Sequence, residues 1–243
     1  MHISDPGFEP PDRMVLPKDE VCVWRIDLDT VASAEPRWQR LLSQQELARA
    51  NRFLFARDRQ NFTSTRALLR IILGGYLEQD PRELSFVYSE REKPSLSPLQ
   101  NAGGIEFNVS HSGSRALLAF ARGRELGVDV EQIRTDFDYE SLSRRFFSPA
   151  EQAELSALSQ SERASGFFRC WTRKESYIKA HGAGLSLPLD AFDVSLAPGA
   201  QNALLATRPN RGEAALWSLR EIDAGEGYEG ALCVRGNGWI LKM

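Results

Sequence analysis

Hydrophobic and polar positions along this chain alternate with two periods. In the run Leu126-Gly127-Val128-Asp129-Val130-Glu131 the apolar and acidic residues alternate with a period of two, as on a strand with one buried face. In Phe168, Trp171, Glu175 and Ile178 the spacing is three and four, as on a core-facing helical stripe. Applied along the chain, these patterns predict strands near 21–28, 84–88, 105–110, 115–121, 125–131, 190–196, 214–221 and 229–235. They predict helices near 44–56, 59–77, 138–146, 149–158 and 161–181. Ser43 with Glu46, and Ser148 with Glu151, form capping boxes that open two of the helices, the second with Pro149 at its first turn. Gly182 and Gly184 can terminate the last helix.

Charged residues interrupt these patterns where chemistry is expected. On a strand, Asp129 and Glu131 point to one face, roughly 6.5–7 Å apart along it. Side by side they repel unless a cation lies between them. Glu175 occupies a helical position where an apolar residue would stabilise the fold, and Lys179 is one turn further on. Three carboxylates without a histidine or cysteine cluster suit a hard cation such as Mg²⁺. Read alone, Asp-x-Glu is also the pattern of a solvated strand face, and Glu175 with Lys179 that of a surface salt bridge. Phe107-Asn108-Val109-Ser110-His111-Ser112-Gly113 ends a strand in a polar turn whose amide, hydroxyls and imidazole can hold an anion. Arg91 and Lys93 add two cations before Pro94.

Composition narrows the class. A chain of 243 residues, 42% hydrophobic and 26% charged, can bury a sizeable core as one large or two small domains. A net charge of −3 argues against a general nucleic-acid binder. No apolar run approaches the ~18 residues of a membrane helix, so no membrane partner is expected. Cys22, Cys170 and Cys233 are widely spaced and odd in number, which reads as reduced thiols in a cytoplasmic protein. Residues 1–20, with four prolines, read as a poorly ordered arm.

A faint repeat divides the rest. Asp27 and Asp129 stand 102 residues apart, Ser43 and Ser148 stand 105 apart, and Thr65-Arg66 and Thr172-Arg173 stand 107 apart. The ordered offsets predict an α+β fold of two similar halves, 21–121 and 122–243, with the pivot near Arg122-Gly123-Arg124 and a ligand cleft between them. The last offset places Leu68 at the position of Glu175, so only the second half assembles three carboxylates.

Asn108-Val109-Ser110-His111-Ser112, Gly127-Val128-Asp129-Val130-Glu131, Phe146-Phe147-Ser148 with Glu151, and Trp171-Thr172 with Lys174-Glu175-Ser176 and Lys179 follow one another in a fixed order. Together with Gly184-Leu185-Ser186-Leu187-Pro188-Leu189, this set resembles the Sfp-type 4′-phosphopantetheinyl transferases. The resemblance is dense over 84–195, thinner over 40–75 and absent from 1–20. It implies two halves related by a pseudo-two-fold axis, hence a monomer that is a pseudo-dimer within one chain. It also implies that coenzyme A is the substrate and that a serine hydroxyl of an apo carrier protein is the acceptor, with 3′,5′-ADP released.

By the same resemblance, Mg²⁺ would be held by Asp129, Glu131 and Glu175, with Glu175 as the base and Lys179 stabilising phosphate charge. Asn108, Ser110 and His111 would contact coenzyme A, Lys93 would reach its 3′-phosphate or pyrophosphate, and Arg52 would contact the nucleotide phosphates. Arg144, Arg145, Arg169 and Arg173 could receive an acidic carrier. One departure stands out: Glu46 lies where some members carry a lysine after the capping serine. Two other readings stay open, a different Mg²⁺-dependent phosphoryl or nucleotidyl transferase or hydrolase, and a non-catalytic coenzyme A-binding module.

Overall fold

The computed structural model describes every residue except 12, 13, 90–92, 137 and 183. Arg91 therefore lies outside the described residues. The strands are β1 (His2–Ile3), β2 (Glu20–Asp27), β3 (Phe86–Tyr88), β4 (Pro94–Leu96), β5 (Ile105–Ser112), β6 (Arg115–Arg122), β7 (Leu126–Gln132), β8 (Phe192–Val194), β9 (Leu204–Thr207), β10 (Trp217–Glu221), β11 (Tyr228–Arg235) and β12 (Ile240–Lys242). The helices are α1 (Leu28–Val31), α2 (Glu35–Gln39), α3 (Gln44–Ala50), α4 (Ala56–Leu77), α5 (Tyr139–Phe146), α6 (Pro149–Ala157) and α7 (Arg163–His181).

Two sheets lie back to back, and the period-two patterning decides which residues face which layer. Trp24 and Ile26 of β2, with Leu118 and Phe120 of β6, face α4 in one core. Val21 and Val23, with Leu117, Ala119 and Ala121, point the other way. There they meet Val128 and Val130 of β7 and Leu232 and Val234 of β11, forming a core shared by both halves. On the far side of the second sheet, Ala231 and Cys233 pack with Phe167, Phe168 and Ile178 of α7. The layers run helix, sheet, sheet, helix, a mixed α+β architecture of two similar halves.

The internal similarity extends to buried charge. Each capping-box glutamate pairs with a cation on the following long helix. Glu46 accepts from Arg70 at 2.8 Å, and Glu151 lies 2.7 Å from Lys174 Nζ. Each cation also donates to two carbonyls three residues apart, Pro81 and Leu84 for Arg70, and Leu189 and Phe192 for Lys174. This match pairs Arg70 with Lys174. It therefore places Ile71, rather than Leu68, at the position of Glu175. A sequence offset taken from Thr65-Arg66 misses by one helical turn.

The chain ends depart from expectation. The described part of residues 1–20 is docked against the first half rather than loose: β1 pairs parallel to β2, and Ile3 and Leu16 are buried. The second half does not keep the last residues, because β12 crosses back and pairs with β2 at Glu20–Cys22. β1 and β12 together cover one edge of β2 and so shield backbone groups that would otherwise be unpaired.

Candidate active site

The site lies where β5 of the first sheet meets β7 of the second. These strands are joined by side chains of the polar β5 segment rather than by a backbone ladder. Asn108 Oδ1 accepts the Val128 N–H at 2.9 Å, Ser110 Oγ accepts the Val130 N–H at 3.3 Å, and Ser112 Oγ accepts the Gln132 N–H at 3.1 Å. Residues two apart on β5 thus serve amides two apart on β7, because both strands alternate with the same period.

Helix α7 covers the other face of β7 at close range. A Cβ on Gly127 would lie 2.2 Å from the Ser176 carbonyl and 2.4 Å from the Ala180 nitrogen, so this approach requires glycine. The contact brings Lys179 to Asp129. Lys179 Nζ is 2.6 Å from Asp129 Oδ1 and 3.1 Å from Ser110 Oγ, while Ser110 Oγ donates to the same Asp129 oxygen at 2.7 Å. Asp129 is 3% exposed, and its Oδ2 is buried without a hydrogen-bond partner.

Glu131 and Glu175 flank this knot. Ser112 Oγ donates to Glu131 Oε2 at 2.7 Å. Burial raises the Glu175 pKa, the Asp129 charge raises it further, and Lys179 acts in the opposite sense. Glu131 is also raised, first by burial and then by Asp129, against the Ser112 hydrogen bond and the Lys179 and Arg134 charges. The α7 stripe follows the sequence expectation only in part, since Phe168 and Ile178 are buried in the core. Trp171, Glu175 and Lys179 are only half-buried, whereas most of the helix around them is buried. Glu175 thus lies on the face the core leaves open.

The donor chemistry fits a hard divalent cation. Asp129 lies within electrostatic reach of both Glu131 and Glu175, Ser110 donates to it, and its deeply buried second oxygen lacks a partner. Among the described residues, however, no three carboxylate, histidine or cysteine side chains already converge tightly enough to ligate an ion. The Lys179 ammonium occupies the Asp129 oxygen that faces the knot.

The other sequence candidates are placed as follows. His111 is exposed on its outer side and crowded by protein on the others. That crowding lowers its pKa, Lys179 lowers it further, and Asp58 of α4 opposes them. Lys93 Nζ crosses from the first half to donate to the Lys179 carbonyl at 2.8 Å and the Leu126 carbonyl at 3.4 Å. Its pKa is lowered mainly by burial. Arg52 is exposed and lines a cavity of about 920 Å³ with Arg49, Glu46, Arg70 and Tyr88. Two arginines expected to greet a carrier are structural instead. Arg173 is fully buried on the Ser195 and Ala197 carbonyls and Glu221, and Arg169 holds Glu229. Arg144 and Arg145 remain exposed.

Sequence reasoning overlooks two residues that shape the β5–β6 turn. Asn61 donates to the Gly113 carbonyl at 3.1 Å, and Tyr228 Oη accepts the Ser114 N–H at 3.0 Å. Gly113 has φ of +55°, and a Cβ there would lie 2.6 Å from Tyr228 Oη. The turn behind His111 and Ser112 is therefore held from both halves. Only the glycine carried a sequence signal, because the partners come from distant segments.

Comparison with known proteins places this geometry in a family. Residues 125–233 match the model of the 4′-phosphopantetheinyl transferase superfamily, and residues 33–122 match that of the 4′-phosphopantetheinyl transferase N-terminal region. The chain is 41% identical to 4′-phosphopantetheinyl transferase HetI of Nostoc sp. over 96% of its own length and 95% of that protein. It is 30% identical to 4′-phosphopantetheinyl transferase Sfp of Bacillus subtilis over 87% and 91%. A solved Thermotoga maritima holo-[acyl-carrier-protein] synthase aligns with 46% of this chain and 63% of its own at 17% identity and a TM-score of 0.37.

Proposed function

The chain belongs to the 4′-phosphopantetheinyl transferase family and is a transferase, and on that premise we propose that it moves the phosphopantetheine arm of coenzyme A onto a serine of an apo carrier protein. The observation that carries the reading is the Asp129–Lys179–Ser110 knot at the seam, with Glu131 and Glu175 beside it.

Phosphoryl transfer depends on positioning and charge stabilisation more than on covalent catalysis. Asp129, Glu131 and Glu175 would hold Mg²⁺, which when bound offsets the charge of the pyrophosphate. Glu175 takes the proton of the acceptor serine. The serine oxygen forms a bond to the β-phosphorus of coenzyme A. The bond from that phosphorus to the bridging oxygen breaks, and 3′,5′-ADP leaves with the bond's electrons. Lys179 stabilises charge on the transferred or leaving phosphate. Ser110 meets Lys179 from β5, His111, the next residue on that strand, lies within electrostatic reach of Lys179, and the cavity at Arg52 receives the nucleotide end. Lys93, bound to the α7 carbonyl in this structure, reaches the phosphates by exchanging that partner. The protein acts as a monomer in the cytoplasm, and its exposed Arg144 and Arg145 offer charge to an acidic carrier.

The substrate assignment is tested by calorimetric titration with coenzyme A. Binding should weaken at least tenfold in Lys179→Met and several-fold in Arg52→Ala. Binding unchanged in both would remove these residues from the phosphate site.

A further inference from the structure

The seam contains the same small device twice, one copy two residues after the other. Ser110 Oγ accepts the Val130 N–H and donates to the carboxylate of the preceding residue, Asp129. Ser112 Oγ accepts the Gln132 N–H and donates to the carboxylate of the preceding residue, Glu131. Each hydroxyl therefore fixes a β7 amide and a β7 carboxylate together. A hydroxyl has one proton and two lone pairs, so an accepted amide directs its own proton elsewhere. Asn108, the first member of the series, accepts the Val128 N–H in the same way but faces Gly127, which has no carboxylate to orient.

We propose that Ser112 is a positioning residue for Glu131, fixing which carboxylate oxygen is turned toward the site. Ser112 holds Oε2, which leaves the second oxygen, Oε1, to turn toward a cation. Without this bond, a half-buried glutamate beside Asp129 would be driven away by like charge. The bond holds it in place despite that repulsion and removes the side-chain freedom that metal coordination would otherwise have to restrict. Carboxylates that bind cations commonly depend on such partners, and losing one typically costs about 10–100-fold in affinity. The inference rests on the reading that Glu131 serves a divalent cation, together with Asp129.

The test is Mn²⁺ titrated into the full-length protein saturated with coenzyme A, with the free ion followed by electron paramagnetic resonance. Melting temperature without cation is measured in parallel. Ser112→Ala should weaken Mn²⁺ binding by about tenfold while its cation-free melting temperature stays near wild type, because water can reach the Gln132 N–H at this exposed edge. Ser112→Thr, which keeps the hydroxyl, should retain wild-type affinity. If Ser112→Ala does not fold, Ser112→Cys, of similar size and a poor donor, should show the same loss. Wild-type affinity in the alanine or cysteine variant, with Asp129→Ala impaired, would overturn the role of Ser112 and leave the cation site standing. Wild-type affinity in Asp129→Ala as well would overturn both.

Discussion

Glu175 is placed where its charge is penalised, and the penalty has a measurable sign. Burial and Asp129 raise its pKa, so the ionised form destabilises the cation-free protein at neutral pH. This cost is absent below the ordinary glutamate pKa of about 4.3 and complete above the raised value. Glu175→Gln should therefore raise the melting temperature at pH 7 and leave it unchanged near pH 4. The same variant should lose transfer by roughly 10²–10⁴-fold, the usual contribution of a general base. A glutamine variant that is active, or no more stable at pH 7 than wild type, would contradict this account. Lys179 has the opposite character. Its removal leaves Asp129 buried beside an unoccupied ion-pair position, so Lys179→Met should cost up to about 3–5 kcal/mol, the range for breaking a buried pair. Asp129→Asn in the same protein should recover part of that loss in denaturant titrations.

Elements carry the site because β7 and α7 touch through Gly127. Gly127→Ala should push α7 off the sheet, move Glu175 and Lys179 away from Asp129, and cost several-fold more activity than it costs in folded yield. Circular dichroism and transfer rates on one preparation separate the two effects. Buried pairing also anchors α7 at its other face: Glu151→Gln should cost about 3–5 kcal/mol by leaving Lys174 uncompensated. At this scale the sequence was largely legible. Alternating Val128-Asp129-Val130-Glu131 marked β7, and two capping boxes marked the starts of α3 and α6. Short strands such as β1, β9 and β12 were not legible, because pairing with a distant partner defines them more than local pattern does. The carboxylates could be found from their mismatch with apolar surroundings. The role of Asn108 and Ser112 could not, since side-chain bonds between β5 and β7 have no sequence period of their own. The stripe of Phe168, Trp171, Glu175 and Ile178 misplaces Trp171 and Glu175, because a helix buried on most sides has no clear apolar stripe.

At the scale of the whole molecule, the two halves depend on each other. Their shared core takes Val21, Val23 and Leu117 from one sheet and Val128, Val130 and Leu232 from the other. Residues 1–122 alone would expose that face, and the fragment should not give a cooperative melting transition, whereas the intact chain should unfold in one step. The strand β12, crossing from the second half to β2, and the Arg25–Asp223 pair at 2.9 Å add further ties. The seam therefore cannot open freely. The reaction proposed for this seam is phosphopantetheine transfer. The most direct measurement is the intact mass of an apo carrier protein after incubation with the enzyme, coenzyme A and Mg²⁺. A gain of one phosphopantetheine group at the carrier's serine, lost when Mg²⁺ is chelated and lost in Asp129→Ala, is the predicted result. An unmodified carrier across a panel of acyl and peptidyl carriers, or undiminished modification by Asp129→Ala, would contradict it.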